Sequence, residues 1–288
     1  MYLPLDLRLL AALGAALLLG SCNSAAPAAP PSQAAAPASS PPAPAAGEPA
    51  QEPVPAAAGD SAARPSPSEQ HPEPEKKRYR LNTKTYDIKP ADGSEAPAKV
   101  VLLTFDDGPK ELALNESLLG TLDKHKAKAI FFVNGYRVRQ NPDILKLIHS
   151  RGHTIGNHSW DHIDLKKESA ESVERQIGDV QQEVRTLTGE APRFFRPPFG
   201  SGSETVREAA RAHNLLYMTW SNGSKDWEMT TKKNDPQKVV TNVLEQLRPG
   251  SNILMHELPW TAQALDQLLS SLEEKGYGFA DPASLLSE

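Results

Sequence analysis

From about residue 99 onward the sequence predicts an α/β fold with a parallel sheet covered by helices. Two observations predict it. Short apolar runs alternate with amphipathic segments over about 190 residues. Residues able to do chemistry (Asp106, Asp107, His158, Arg196, Asp226, His256) each sit just after an apolar run, and in this class sites form at the carboxyl ends of the strands. Periodicity alone leaves barrel and open sheet both possible.

The elements follow in order. "VVLLTF", 100–105, is a buried-strand pattern, and a helical stretch runs from Ala113 to His125. "AIFFVNG", 129–135, is the second strand. Asn141-Pro142 starts a helix that Gly152 stops. "HTIGNH", 153–158, passes from strand into loop. Val173, Ile177, Val180, Val184 and Leu187 mark one face of a long helix. "RFF", 193–195, is a short strand, followed by a helix from Ser203 to His213 and the strand "LLYMTW", 215–220. Asp235-Pro236 opens another helix, "NILMH", 252–256, is a strand, Thr261 to Lys275 is helical, and "YGFA", 277–280, is the last strand.

The chain before this region has another composition. Fourteen of the 26 prolines lie between Asn23 and Arg78, among Ala, Ser and Glu. Such a stretch has too little apolar surface to offset its ordering entropy and is expected to be a disordered tether. It would span about 40 Å as a flexible coil and up to about 170 Å as polyproline II. Leu9 to Leu19 is an apolar core too short for a bilayer, ending in "LLLGSC". Leucine, two small residues and a cysteine resemble a bacterial lipobox, which implies cleavage before Cys22 and lipidation of that sole cysteine. The expected organisation is a lipoprotein signal peptide (1–21), a linker (22–78), a lead-in segment (79–97) and a catalytic domain (98–288). A net charge of −5 gives no reason to expect nucleic acid.

Asp106-Asp107-Gly108 reads as a capped turn or as two carboxylates sharing a task. Adjacent strand residues point to opposite faces, so the two side chains are expected to diverge, one to a metal and one to a proton. A divalent cation would stabilise both charges. "HSWDH", 158–162, spaces two imidazoles as on one side of a helical turn, and with Asp107 they make a mixed nitrogen and oxygen donor set for zinc or a related ion. His153, mid-strand and off that spacing, reads as structural. In "RPPFG" Arg196 can pair with a carboxylate, and two prolines free the Phe199 N–H for an oxyanion.

Together TFDDG, HSxxH, RPPFG, DW and LMH, in this order, resemble the polysaccharide deacetylase family (the NodB-homology domain, carbohydrate esterase family four) over roughly residues 98–288. The resemblance implies a distorted (β/α) barrel with about seven βα units and metal-assisted amide hydrolysis. It implies Asp106 as general base and Asp107, His158 and His162 as ligands of one divalent ion, zinc or cobalt. Arg196 would orient the base, Phe199 N–H would bind the oxyanion, and His256, supported by Asp226, would be the general acid. Trp227 and Leu254 would line the acetyl pocket. Three positions depart from the family pattern: Gly223 where a second aspartate is common, Glu257 where aspartate is common, and Phe199 in place of tyrosine. The expected protein is a monomeric, extracytoplasmic N-deacetylase anchored to the bacterial cell membrane through Cys22. Its expected substrate is an N-acetylated glycan, peptidoglycan before chitooligosaccharide, poly-N-acetylglucosamine or O-acetyl xylan. The rival is a wall-binding lipoprotein that keeps the fold without turnover.

Overall fold

The computed structural model describes residues 78–287. The expectations for the leader, for Cys22 and for the tether to residue 77 lie outside the described residues.

The lead-in segment folds as an antiparallel hairpin of β1 (Tyr79–Leu81) and β2 (Ile88–Pro90). The main sheet contains β3 (Val100–Gly108), β4 (Ala129–Val133), β5 (Thr154–Asn157), β6 (Phe194–Phe195), β7 (Leu216–Tyr217), β8 (Asn222–Gly223) and β9 (Asn252–His256). Every ladder in it is parallel, and the spatial order is β7-β6-β5-β4-β3-β9-β8. The strands therefore follow one another around a barrel, and β9 returns to β3. Among the described residues no ladder joins β7 to β8, so the barrel stays open there. A short β10 (Gly278–Phe279) pairs with the start of β3. Helices α1 (Leu112–Lys124), α2 (Gly135–Gln140), α3 (Pro142–Ser150), α4 (Ala170–Thr188), α5 (Glu204–Ala212), α6 (Pro236–Glu245) and α7 (Pro259–Glu274) fill the connections.

Local chemistry sets the helix ends. Ser169 Oγ accepts from Ser172 N–H at the start of α4, and Gly189 ends it at φ 85°. Ser203 and Asp235 cap α5 and α6 in the same way. The run 215–220 shrinks to the two residues of β7, because Thr219 O accepts from the Arg196 and Asn252 side chains instead of a neighbouring strand.

Strand parity sorts the side chains into two cores. On β3, Val101, Leu103 and Phe105 join the layer under the helices, with Ile253 and Met255 of β9. Val100 and Leu102 face the barrel interior with Ile130, Phe132, Phe194, Leu216 and Met218, and Tyr79, Leu81 and Ile88 of the hairpin close this core. Counting on by two from the interior residues gives Asp106, His158, Arg196 and His256. The same alternation that buries the barrel core thus delivers four candidate site side chains to its interior at the carboxyl ends of the strands.

Candidate active site

Asp107 sits where the β3–β4 register shifts between Asp106 and Gly108, at φ 67°. This bulge changes the expected geometry. Strand alternation would separate the two carboxylates, but the extra residue and the left-handed backbone bring Asp107 round toward the side Asp106 faces. His158 Nε2 lies 3.6 Å from Asp106 Oδ2 and 3.5 Å from Asp107 Oδ1, and His162 Nε2 lies 3.2 Å from Asp107 Oδ1. The carboxylates converge on one histidine instead of diverging.

The two histidines are also not on a helical turn. Residues 158–164 form a loop, with Ser159 at φ 66° and His162 at φ 56°. Asn157 Oδ1 accepts from Ser159 N–H at 3.0 Å, and Ser159 Oγ accepts from His162 N–H at 3.2 Å. The first amides of α2 hold the same loop: Gly135 N–H donates to Ser159 O and Tyr136 N–H to Trp160 O. Left-handed backbone at Asp107, Ser159, His162 and Phe199 costs on the order of 1–3 kcal/mol each and persists where surrounding contacts over-determine it.

Asp107, His158 and His162 present ligand atoms all within 4.8 Å of one another. Two features show that this set fits a cation. His158 Nδ1–H donates to Arg196 O at 2.7 Å, so in the neutral ring Nε2 carries a lone pair toward the carboxylates. Asp107 Oδ1 is buried and has no hydrogen-bond partner. Tetrahedral zinc ligands at about 2.0–2.1 Å from the ion lie roughly 3.3–3.4 Å apart, close to the 3.2 and 3.5 Å separations seen here. Burial opposes ionisation of Asp107, but the imidazoles of His158, His256 and His162 hold its carboxyl well below the usual range. Burial lowers His162, with the opposing pull of Asp107 too weak to restore it.

Arg196 is fully buried, its guanidinium carbon 4.3 Å from the centre of the Phe132 ring. Its Nη1 donates to Asp106 Oδ1 at 2.6 Å and Thr104 Oγ1 at 2.9 Å, and its Nη2 to Thr219 O at 2.8 Å and Asn252 Oδ1 at 3.3 Å. Asp106 is thereby fixed with one oxygen on a cation and the other toward His158. On the opposite side His256 Nδ1–H donates to Asp226 Oδ1 at 2.7 Å, and Asp226 Oδ2 accepts from His256 N–H and Thr261 Oγ–H, both at 2.7 Å. Burial works against a charged His256, but the Asp226 hydrogen bond and charge outweigh it and raise its pKa. The arrangement can hold a carboxylate base and a protonated acid on two sides of a cation site.

Phe199 lies in a tight turn at φ 60°. Gly200 N–H bonds Pro197 O and Ser201 N–H bonds Pro198 O, which leaves the Phe199 N–H without a protein acceptor among the described residues. The Phe199 ring is 66% exposed and meets His162 edge-on at 4.7 Å. Trp227 is 42% exposed and 5.6 Å from His256, while Leu254 is buried two residues before His256 on the same strand face. The Gly223 departure shows its effect here: a Cβ would lie 3.0 Å from Trp227 Cη2, so the indole occupies space that a side chain would need. His153 is buried, accepts from Ala129 N–H at 3.3 Å, and is pushed down to about 4 mainly by burial.

Sequence reasoning missed Thr104, Asn252 and Thr261, which position Arg196 and Asp226. Thr104 was findable, because it precedes Asp106 by two residues on the interior face. Asn252 shares the strand face of His256 four residues on, and Thr261 carries no local signal.

The polysaccharide deacetylase family model matches residues 93–218, which take in every site residue up to Phe199. A Listeria monocytogenes peptidoglycan-N-acetylglucosamine deacetylase is 38% identical over 191 residues, covering 66% of this chain. This chain spans 39% of that relative's length. The solved Bc1960 peptidoglycan N-acetylglucosamine deacetylase is 33% identical at TM-score 0.61, covering 66% of this chain and 90% of that one. A carbohydrate esterase family four pseudoenzyme from Bacillus anthracis is 29% identical at TM-score 0.61, covering 65% of each chain. With a 33% identical relative covered over nine-tenths of its length, the chain belongs to the polysaccharide deacetylase family.

Proposed function

We propose that this protein is a metal-dependent N-deacetylase of cell-wall glycan, acting on N-acetylglucosamine-type residues of peptidoglycan. One observation carries the reading: the Asp106–Arg196 and Asp226–His256 pairs flank the Asp107, His158, His162 donor set at one end of the barrel. The named relatives support the substrate class. The two-nitrogen, one-oxygen donor set suits zinc or a related ion, the family resemblance implies zinc or cobalt, and a bound cation would supply Lewis acidity toward the acetyl carbonyl and the attacking water.

In this reading Asp106 Oδ2 accepts a proton from the attacking water while Arg196 holds Oδ1 in place. Water adds to the acetyl carbon, and the Phe199 N–H donates to the oxygen that becomes negative. His256 Nε2–H protonates the sugar nitrogen as the carbon–nitrogen bond breaks, and Asp226 stabilises the imidazolium beforehand. Acetate and the free amine leave. Trp227 and Leu254 flank the acetyl methyl.

Lipid anchoring at Cys22, with a tether that spaces the domain from a bacterial membrane, would place this activity within the wall; the "LLLGSC" pattern supports it. The pseudoenzyme relative keeps a second reading in view, a wall-binding protein without turnover. Metal-stripped full-length protein reloaded with zinc or cobalt should release acetate from peptidoglycan and N-acetylglucosamine oligomers. No acetate from peptidoglycan, chitooligosaccharide or acetylated xylan, with metal shown to be bound, sides with the second reading.

A further inference from the structure

We propose that Glu257 is a positioning residue that clamps the Asp107 bulge from β9, setting both the metal-ligand geometry and the distance from Asp106 to His256. The catalytic part of this inference rests on the deacetylase reading; the metal-site part does not.

Glu257 follows His256 and is 1% exposed. It bonds the chain on both sides of the bulge, at Asp106 within β3 and at Lys110 just past its end. Its backbone N–H faces Asp106 O at 3.4 Å, and its carboxylate Oε2 accepts from Lys110 N–H at 2.9 Å. The same oxygen accepts from the buried Asn115 Nδ2 of α1 at 2.8 Å. A seat for the carboxylate is built into the strand: a Cβ on Gly108 would lie 1.7 Å from Glu257 Oε1. Asp106, the left-handed Asp107 and Gly108 are thus bracketed by one residue, its backbone N–H on one side and its carboxylate on the other, next after the strand that carries His256.

The bracket answers a physical need. A non-glycine residue at φ 67° is held only by its surroundings, and Asp107 has no hydrogen bond of its own at Oδ1. On the other flank Asn134 N–H donates to Gly108 O at 3.0 Å and Asn141 Nδ2 to Pro109 O at 3.0 Å. Those bonds tie the segment to the β4 side, and among the described residues Glu257 supplies the side-chain tie to the β9 side. Without it the bulge is free to relax toward regular strand, which turns Asp107 away from His158 and His162. Partners one layer behind metal ligands typically contribute 10–100-fold in affinity or activity.

The test compares Glu257→Ala with Glu257→Gln in the full-length protein. Gln keeps an oxygen for Lys110 N–H and Asn115 without the charge. Zinc affinity, by chelator competition, should weaken about 10-fold or more in Glu257→Ala and stay within about threefold in Glu257→Gln. Acetate release should show kcat lowered about 10–100-fold in the Ala variant with KM within about twofold, and rescue by Gln. Melting temperature is followed in parallel. Zinc affinity and kcat both unchanged in Glu257→Ala, or a loss confined to melting temperature, overturns the proposal. If Glu257→Ala fails to fold, a Gln variant with tenfold weaker zinc binding at unchanged melting temperature also overturns it, because the clamp needs only the accepting oxygen. Zinc affinity weakened in Glu257→Ala, with a zinc-loaded wild type that releases no acetate, would leave the clamp standing and remove the deacetylase reading instead.

Discussion

Replacing Asp226 by asparagine isolates the electrostatic part of the candidate site. Asp226 is fully buried, and its two oxygens take three hydrogen bonds, two from His256 and one from Thr261. An asparagine oxygen can keep the Oδ2 position, with the His256 N–H and Thr261 hydroxyl still satisfied. Its NH2 group then faces His256 Nδ1, where the carboxylate oxygen accepted. Nδ1 must become the acceptor, so the imidazolium loses both its bond and its counter-charge. Burial lowers the His256 pKa, while the Asp226 hydrogen bond and charge, with smaller pulls from Asp106 and Asp107, raise it above 6.5, so removing Asp226 takes away the largest raising cause and moves the pKa down. The protonated acid then exists only at lower pH. A positioned general acid contributes typically 10²–10⁴-fold, which is about 3–5 kcal/mol of barrier. The assay is kcat against pH from acetate release by zinc-loaded protein. The alkaline limb should move to lower pH, and kcat at pH 7.5 should fall by at least about 100-fold. An alkaline limb at its wild-type position with kcat within threefold would refute the role of the pair. Stability gives a second readout. A raised folded pKa stabilises fully below about pH 6.5 and loses that contribution as pH rises through the folded value; in Asp226→Asn that loss on the alkaline side should vanish.

Three further expectations accompany it. Asp107→Asn should lose most zinc affinity, whereas Asp106→Asn should keep zinc within about tenfold and lose about 10²–10⁴-fold in kcat; metal analysis showing the reverse order would exchange their roles. His153, neutral when folded at about 4 against 6.5 unfolded, should cost about 3 kcal/mol of stability as pH falls from 6.5 to 4. His153→Asn keeps an acceptor for Ala129 N–H and should flatten that acid slope in denaturant melts, and an unchanged slope would place the titration elsewhere. Cys22→Ser should release the protein from membranes in cell fractionation, and full retention would count against a lipid anchor there.

Much of the scaffold is legible in one dimension because its signals are local. "NILMH" is β9 residue for residue, since an unbroken apolar run bounded by polar residues has few other solutions. Helix α4 announces itself through Val173, Ile177, Val180 and Val184 on one face, and α5 and α6 through the starts at Ser203 and Asp235. The hairpin β1–β2, the one-and-a-half-turn α2 and the two-residue β8 have no comparable pattern. Each is too short for periodicity and is held by distant bonds, as where Ile88 N–H meets Gly250 O or Gly135 N–H meets Ser159 O.

The site divides along the same line. By itself the sequence determined which side chains are present at strand ends and their order; that Asp106, His158, Arg196 and His256 share the barrel interior came from the folded sheet. Only the tertiary structure decided how they meet. Parity sent Asp107 away from Asp106, and a bulge read from the β3–β4 register turned it back. The loop 158–164, not a helix, aimed the two histidines. Buried Thr104, Asn252 and Thr261 orient Arg196 and Asp226, and Glu257 reaches across to Lys110 and Asn115. These are contacts between residues up to about 150 positions apart, whose free energy depends on approach and burial, and no local pattern encodes either.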